Sequence, residues 1–223
     1  LRLLALIPAY NEAASIARLV EATRPYVEAV LVVDDGSRDA TAELARQAGA
    51  TVLVQPVNGG KGAALQRGFD YCLEQGFEAV VTLDADGQHD PALIPALVAP
   101  LAEGTADLVV GSRRQLWDRH MPLVRRLTNA FMSWLLSRVA GQRLEDTQSG
   151  YRVLHARVLR QVRPRTSRFE AESEFLLVAA RRGFRIAWVP ISVIYGGRPS
   201  HVRPLADGLR FARMLVRVLL GRP

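Results

Sequence analysis

The chain is poor in several residue types, and each scarcity narrows what it can be. It has one cysteine, Cys72, which excludes an internal disulfide and any zinc site built on several thiolates. A reducing, cytosolic compartment is the simplest setting for such usage. It has one lysine, Lys61; every other basic side chain is arginine, apart from the histidines. No uninterrupted apolar run approaches the ~20 residues needed to cross a bilayer. The opening LRLLALIPAY is too short, and too soon followed by charge, to read as a signal peptide. A catalytic nucleophile is missing as well. Cys72 sits inside a helical stretch and reads as core, and Ser149 in QSGYR lacks the strand–turn–helix setting of a nucleophile elbow. His120, His155 and His201 are scattered, which argues against zinc.

What is present is ample for one ordinary domain. The 223 residues are 49% hydrophobic, with 17 Gly and 12 Pro spread along the chain, so disordered, collagen-like and low-complexity classes are out. The net charge of +7 conceals a division. Residues 1–112 carry 7 basic and 15 acidic side chains, whereas residues 113–223 carry 22 and 7. Such a division suits an acidic metal- or nucleotide-binding half joined to a half that faces an anion. That anion could be nucleic acid, a membrane surface or a phosphorylated substrate.

Along the chain, short apolar runs alternate with amphipathic stretches. LRLLALIPAY predicts a buried strand closed near Pro8, and NEAASIARLVEAT a helix for which Asn11 is a candidate cap. A second strand spans Ala29 to Val33, a helix covers 39–48 and ends at Gly49, and TVLVQP is a third strand. NGGKGAALQRGFDYCLEQG reads as a glycine-rich loop running into a helix, EAVVTLDADG as a fourth strand, PALIPALVAPLAEG as a helix and ADLVVGSR as a fifth strand. Alternation with short connections predicts an α/β, doubly wound, mainly parallel sheet. In the second half a helix is expected from about Pro122, a short strand and helix in DTQSGYRVLHARVLRQV, a helix in FEAESEFLLVAARRG, and a pair of short strands around Pro190. LADGLRFARMLVRVLLG reads as a C-terminal amphipathic helix, which divides the chain into a domain over 1–203 and a helix over 204–223.

Ligands of such sheets sit beyond the carboxyl ends of the strands. Tyr10, Asp34, Asp35, Lys61, Asp84, Asp86 and Arg113 fall there. The strongest signal is LDADGQHD, where Asp84 and Asp86 flank Ala85. Two nearby carboxylates repel each other unless a cation neutralises them. Hard oxygen ligands suit Mg2+ or Mn2+, with Gln88 able to add an amide oxygen and His89 a nitrogen. The plain alternative is a solvated turn. In VVDDGSRDAT, Asp35 can hydrogen-bond a base or ribose, while Ser37 or Asp39 can cap the following helix. NGGKGAA can bring backbone amides to a phosphate or simply begin a helix, and its spacing to Lys61 is not that of a phosphate-binding loop.

Taken together in order, IPAYNE, DDGSRDAT, NGGKGAA, DADGQHD, GSR and DTQSGYR resemble the motifs of family-2 inverting glycosyltransferases with the GT-A nucleotide-diphospho-sugar transferase fold. DTQSGYR followed by FEAESEF is similar to the dolichol-phosphate mannose synthase and polyprenyl-phosphate glycosyltransferase branch. The resemblance covers roughly residues 1–200, and YGGRPSH is similar to that family's Arg…Gly…Ser-Lys loop, with His201 at the lysine position. It implies that Pro8, Tyr10, Glu12, Asp35, Lys61, Asp84, Ala85, Asp86, Glu170, Glu172, Arg198, Ser200 and His201 frame a nucleotide sugar such as GDP-mannose or UDP-glucose. It further implies that Asp84, Asp86 and Gln88 hold Mg2+ or Mn2+, and that Arg113, Arg125 and Arg126 receive an acceptor phosphate. Asp86, Arg113 and Arg126 are then the expected catalytic residues.

The expected activity is transfer of mannose or glucose from a nucleotide sugar to a polyprenyl phosphate, by a peripheral enzyme on the cytoplasmic membrane face. Arg210, Arg213 and Arg217, with Leu205, Leu209, Leu215 and Val216, would seat one amphipathic helix on lipid. Arg125, Arg126 and Arg138 with Phe131, Trp134 and Leu135 would seat another. Packing of both helices on the core or in a homo-oligomer is the alternative, and a separate transmembrane partner is left open. Two other classes compete. A soluble transferase acting on a hydroxyl needs a carboxylate base, for which Glu170, Glu172 and Asp146 are candidates. A non-catalytic anion- or lipid-binding module is disfavoured because the strand-end carboxylates would repel phosphate without a metal; the same repulsion argues against nucleic acid.

Overall fold

The structure is a computed structural model that describes residues 1–113, 123–163, 166, 170–192, 213, 215, 216 and 218. Its frame is a seven-stranded sheet in the order β3-β2-β1-β4-β6-β5-β7. The strands are β1 (Leu3–Ala9), β2 (Ala29–Asp34), β3 (Thr51–Val54), β4 (Ala79–Thr82), β5 (Leu108–Ser112), β6 (Arg152–His155) and β7 (Ile186–Pro190). The helices are α1 (Ile16–Thr23), α2 (Thr41–Gln47), α3 (Lys61–Glu74), α4 (Ile94–Ala102), α5 (Leu123–Ala140), α6 (Ala156–Gln161) and α7 (Glu170–Arg181).

The central strands are apolar without alternation because both faces are covered, as in a parallel sheet layered by helices. Leu3, Ala5 and Ile7 of β1 pack with Ile16, Val20, Ile94 and Leu97 on one face. Leu4 and Leu6 turn to the other face, against Leu65, Phe69, Leu159 and Phe175. Gly68 lets α3 lie close on β1, since a Cβ there would fall 2.2 Å from Leu6 Cδ1. Helix α5 packs on α7 through Leu136 and Leu177, with Leu144 of the loop after α5 in the same cluster, which Leu215 and Val218 join.

The sheet is mainly parallel, as expected, and one expected cap needs correcting. The strand β6 is antiparallel to both β4 and β5, with Thr82 opposite Arg152 and Val110 also opposite Arg152. Around Pro190 there is one described strand, β7, which ends at that proline; residues 193–200 lie outside the described set. Asn11 does not cap the first helix, which begins after Ser15. Asn11 instead adopts a left-handed conformation, φ 54°, and links two loops. Its amide donates to Ser37 Oγ at 2.9 Å, and its side-chain oxygen accepts from the Arg38 amide at 2.9 Å. The Glu12 and Ala13 amides extend the seam to Thr41 Oγ1 and Asp39 Oδ2. The second expected helix starts at Thr41, and Asp39 Oδ1 accepts from the Thr41 amide at 3.0 Å.

Among the described residues no helix is long and apolar enough to cross a membrane. The expected C-terminal helix falls largely outside the described set; residues 213, 215, 216 and 218 are helical.

Candidate active site

Strand order reverses between β1 and β4, so a crevice opens beyond their carboxyl ends. Because β6 runs the other way, its leading end comes to the same edge and carries the loop DTQSG with it. Gly150 carbonyl accepts from Thr82 Oγ1 at 2.7 Å, and the Tyr151 carbonyl accepts from the Gly111 amide at 2.9 Å. The site is therefore built from the ends of β1, β4 and β5, the start of α3, the first turn of α7 and the loop before β6.

Asp84 is its centre. Lys61, at the start of α3, pairs with Asp84 Oδ1 and lies 2.9 Å from Glu172 Oε1 on α7. Gly150 backs this cluster: a Cβ there would fall 2.6 Å from Asp84 Oδ1 and 2.8 Å from Lys61 Nζ. His89 Nδ1 accepts the Asp84 amide at 3.1 Å, and its ring stacks on Tyr151 with centroids 4.8 Å apart. Tyr151 is itself fixed by its hydroxyl, which donates to the Asp90 carbonyl at 2.9 Å. Burial holds the His89 imidazole below its ordinary value, with Asp84 opposing, so the ring is a neutral acceptor that sets the backbone of the DAD turn.

The two aspartates differ. Burial alone would raise the Asp84 carboxyl, but the Lys61 charge, with that of Arg113, brings it well below the usual range. Asp86 is pushed up by burial and then by the Asp84 charge; its Oδ1 accepts the Gln88 amide at 3.0 Å. A cation beside Asp86 would relieve both the cost of burial and the repulsion from Asp84. Asp84 and Asp86 offer hard oxygen donors of the kind a divalent cation takes, although among the described residues no group of three His, Cys, Asp or Glu gathers at one point.

Arg113, just after β5, is gripped by Asp146. Its backbone amide, Nε and a terminal nitrogen donate to the Asp146 carboxylate at 3.1, 2.8 and 2.9 Å. Burial would raise Asp146, but the Arg113 hydrogen bonds and charge outweigh it and hold the carboxyl low. Arg152, buried, donates to the carbonyls of Ser149, Thr147 and Glu172, which fixes the loop to α7. Burial draws the Arg152 guanidinium below its ordinary value, opposed by Glu172.

Asp35 is used internally. It accepts from Gln55 Nε2, the Gly59 amide and the Gly60 amide at 2.7, 2.8 and 2.7 Å. Those two amides of the glycine-rich loop thus serve a carboxylate of the protein rather than a phosphate. Ser15 Oγ lies 2.9 Å from Glu12 Oε2 and 2.8 Å from the Ala85 carbonyl, so Glu12 and Ala85 are joined at the crevice. Pro8 sits at the end of β1, and Tyr10 just beyond is exposed. Glu170 opens α7, and Arg125 and Arg126 lie on α5, but their side chains are outside the described residues. Arg198, Ser200 and His201 lie outside them altogether.

Sequence reading assigned no role to Gly150 or Arg152, and weighed Asp146 only as a base. The signal that bears on them is their place in DTQSGYR, but pairing across 33 residues is not visible in a one-dimensional pattern.

Comparison with known proteins gives a consistent result. Residues 5–162 match the family described as glycosyl transferase family 2. An undecaprenyl-phosphate mannosyltransferase of Micrococcus luteus is 35% identical over 208 residues, 87% of this chain and 84% of that protein. A UDP-N-acetylglucosamine–dolichyl-phosphate N-acetylglucosaminyltransferase of Methanococcus voltae is 30% identical over 212 residues, 85% of this chain and 84% of the relative. Among solved structures, glucosyl-3-phosphoglycerate synthase from Mycobacterium tuberculosis, in complex with Mn2+, UDP-glucose and phosphoglyceric acid, superposes with a TM-score of 0.71. It is 27% identical, over 99% of this chain and 79% of that one.

Proposed function

The chain belongs to glycosyl transferase family 2 and is a glycosyltransferase, and from that premise we propose that it moves a hexose from a nucleotide sugar to a polyprenyl phosphate at a membrane surface. The observation that carries this reading is the state of the carboxylates. Asp146 is locked by Arg113 and Glu172 is paired with Lys61. A carboxylate whose two oxygens are taken by a guanidinium, as those of Asp146 are, is a poor proton acceptor; the Glu170 side chain lies outside the described residues. An acceptor that arrives ionised needs no base, and a lipid phosphate is such an acceptor.

In the reaction, a phosphate oxygen of the acceptor attacks the anomeric carbon as the bond to the nucleoside diphosphate breaks. The electron pair leaves with the diphosphate, and no proton is transferred. Asp84, Asp86 and Gln88 would hold Mg2+ or Mn2+, whose charge stabilises the departing diphosphate. Arg113, held by Asp146, keeps donors for an acceptor anion, with Arg125 and Arg126 as further cationic candidates; rigid placement of this kind lowers the barrier through orientation. Pro8, Tyr10 and Glu12 would frame the base and ribose, with Asp35 holding the glycine-rich loop beside them. Arg198, Ser200 and His201 would close over the diphosphate.

A second feature supports a lipid acceptor. Leu127, Phe131 and Trp134 form one exposed stripe of α5, at 61, 58 and 54% exposure. Arg138 lies over the Trp134 ring, 5.7 Å from its centroid, so a cation flanks the apolar stripe. Such a face suits the interfacial zone of a bilayer rich in anionic lipid. The enzyme would then work peripherally on the inner membrane face, with residues 1–203 carrying the chemistry and 204–223 adding lipid contact. The Leu215 and Val218 side chains pack on the protein, whereas Val216 and Arg213 are exposed, so the second helix would offer only its outer side.

A soluble transferase is the competing reading, favoured by the likeness to glucosyl-3-phosphoglycerate synthase. The deciding experiment supplies radiolabelled GDP-mannose and UDP-glucose with polyprenyl phosphate, free polyprenol or phosphoglyceric acid. Transfer to polyprenyl phosphate alone supports the proposal. Comparable transfer to the free alcohol refutes it, and transfer to phosphoglyceric acid alone favours the soluble class.

A further inference from the structure

Lys61 stands between two carboxylates carried by different elements. Its Nζ pairs with Asp84 Oδ1, beyond β4, and with Glu172 Oε1 on α7. The side chain is 19% exposed and is backed by Gly150, where a Cβ would come within 2.8 Å of Nζ. The carboxylate it neutralises is one of the two candidate ligands for a divalent cation, while Asp86 has no lysine or arginine at ion-pair distance among the described residues. An ammonium and a divalent cation cannot both sit against Asp84 without like-charge repulsion. Glu172, carried by α7, gives the ammonium a second seat.

We propose that Lys61 is a resident counter-ion for Asp84, which a divalent cation displaces onto Glu172 as it binds. The inference rests on the metal assignment made above. It makes Lys61 a positioning residue that sets how tightly the metal is held. In the metal-free protein Lys61 keeps the carboxylate cluster neutralised. With metal present the Lys61–Glu172 pair fixes the first turn of α7 beside the crevice.

The test is Mn2+ binding to the full chain, read from the free-ion electron paramagnetic resonance signal, together with melting in chelator and in Mn2+. Lys61→Met/Glu172→Gln removes the ammonium and its second seat together, so no carboxylate gained by Lys61 is left stranded apart from Asp84. This variant should bind Mn2+ at least tenfold more tightly than the wild type and gain more melting temperature from Mn2+. Glu172→Gln alone should bind Mn2+ several-fold more weakly, because Lys61 then has only Asp84. Equal or weaker binding by the double variant overturns the inference. Mn2+ binding that survives both Asp84→Asn and Asp86→Asn overturns the metal assignment and the inference with it.

Discussion

Replacing Asp146 with alanine tests whether the Arg113 anchor is a desolvated ion pair. The Asp146 side chain is 1% exposed and that of Arg113 is 21% exposed. Three donors of Arg113 converge on the carboxylate, so the substitution strands a largely buried guanidinium. Removing one partner of a buried pair costs ~3–5 kcal/mol. Residual water at Arg113 recovers part of that, which puts the expected loss near the lower end, about 3 kcal/mol. For a chain of this size each kcal/mol moves the melting temperature by about 2–4 °C, so a fall of roughly 6–12 °C is expected. Asp146→Asn keeps one acceptor oxygen and should lose about 1.5–3 kcal/mol.

The assay is urea unfolding followed by tryptophan fluorescence, comparing midpoints at unchanged m. Acid adds an independent check. Asp146 is held below its unfolded value, so its contribution is complete above about pH 4 and is lost as pH falls through the folded value. The wild type should therefore lose stability below about pH 4 more steeply than Asp146→Asn. A loss under about 1 kcal/mol for Asp146→Ala, the range of exposed pairs, would refute the reasoning. It would also return Asp146 to contention as a general base.

Gly150→Ala should cost about 1–3 kcal/mol and most of the transfer activity, because the new methyl group meets Asp84 and Lys61; unchanged activity with an unchanged melt would show that the loop has room. Phe131→Ser with Trp134→Ser should weaken flotation with anionic liposomes by at least tenfold, from about 1.5–3 kcal/mol of lost burial per ring. Undiminished flotation would move lipid contact off α5. Burial lifts the Cys72 thiol to about 11, so a disulfide reagent at pH 8 should label it only as fast as the protein unfolds.

Much of the architecture was legible in the chain. Each strand from β1 to β5 is a short apolar run bounded by glycine, proline or carboxylates, and in a layered parallel sheet such runs have one placement. Parallel strands bring their carboxyl ends to a single edge, so Asp34, Asp84 and Arg113 were bound to lie along that edge once the alternation was read. The carboxylate pair Asp84 and Asp86 stood out by its spacing at a strand end.

What periodicity could not supply was strand direction and long-range pairing. RVLH is too short to declare itself antiparallel, yet its reversal between β4 and β5 is what delivers Gly150 to Asp84 and Asp146 to Arg113. The local pattern around Asn11 offered a helix cap, and the contact that won was with Ser37 and Arg38 across the sheet edge. Asp35 faces the glycine loop's amides for the same reason: partners 24 and 25 residues away carry no local signature. Sequence thus determined the sheet, its ligand edge and the anionic pair, because apolar period and strand-end chemistry are local. The tertiary structure alone decided which cation answers which carboxylate, because Lys61, Arg113, Asp146 and Glu172 meet only after the chain has folded back across its own sheet.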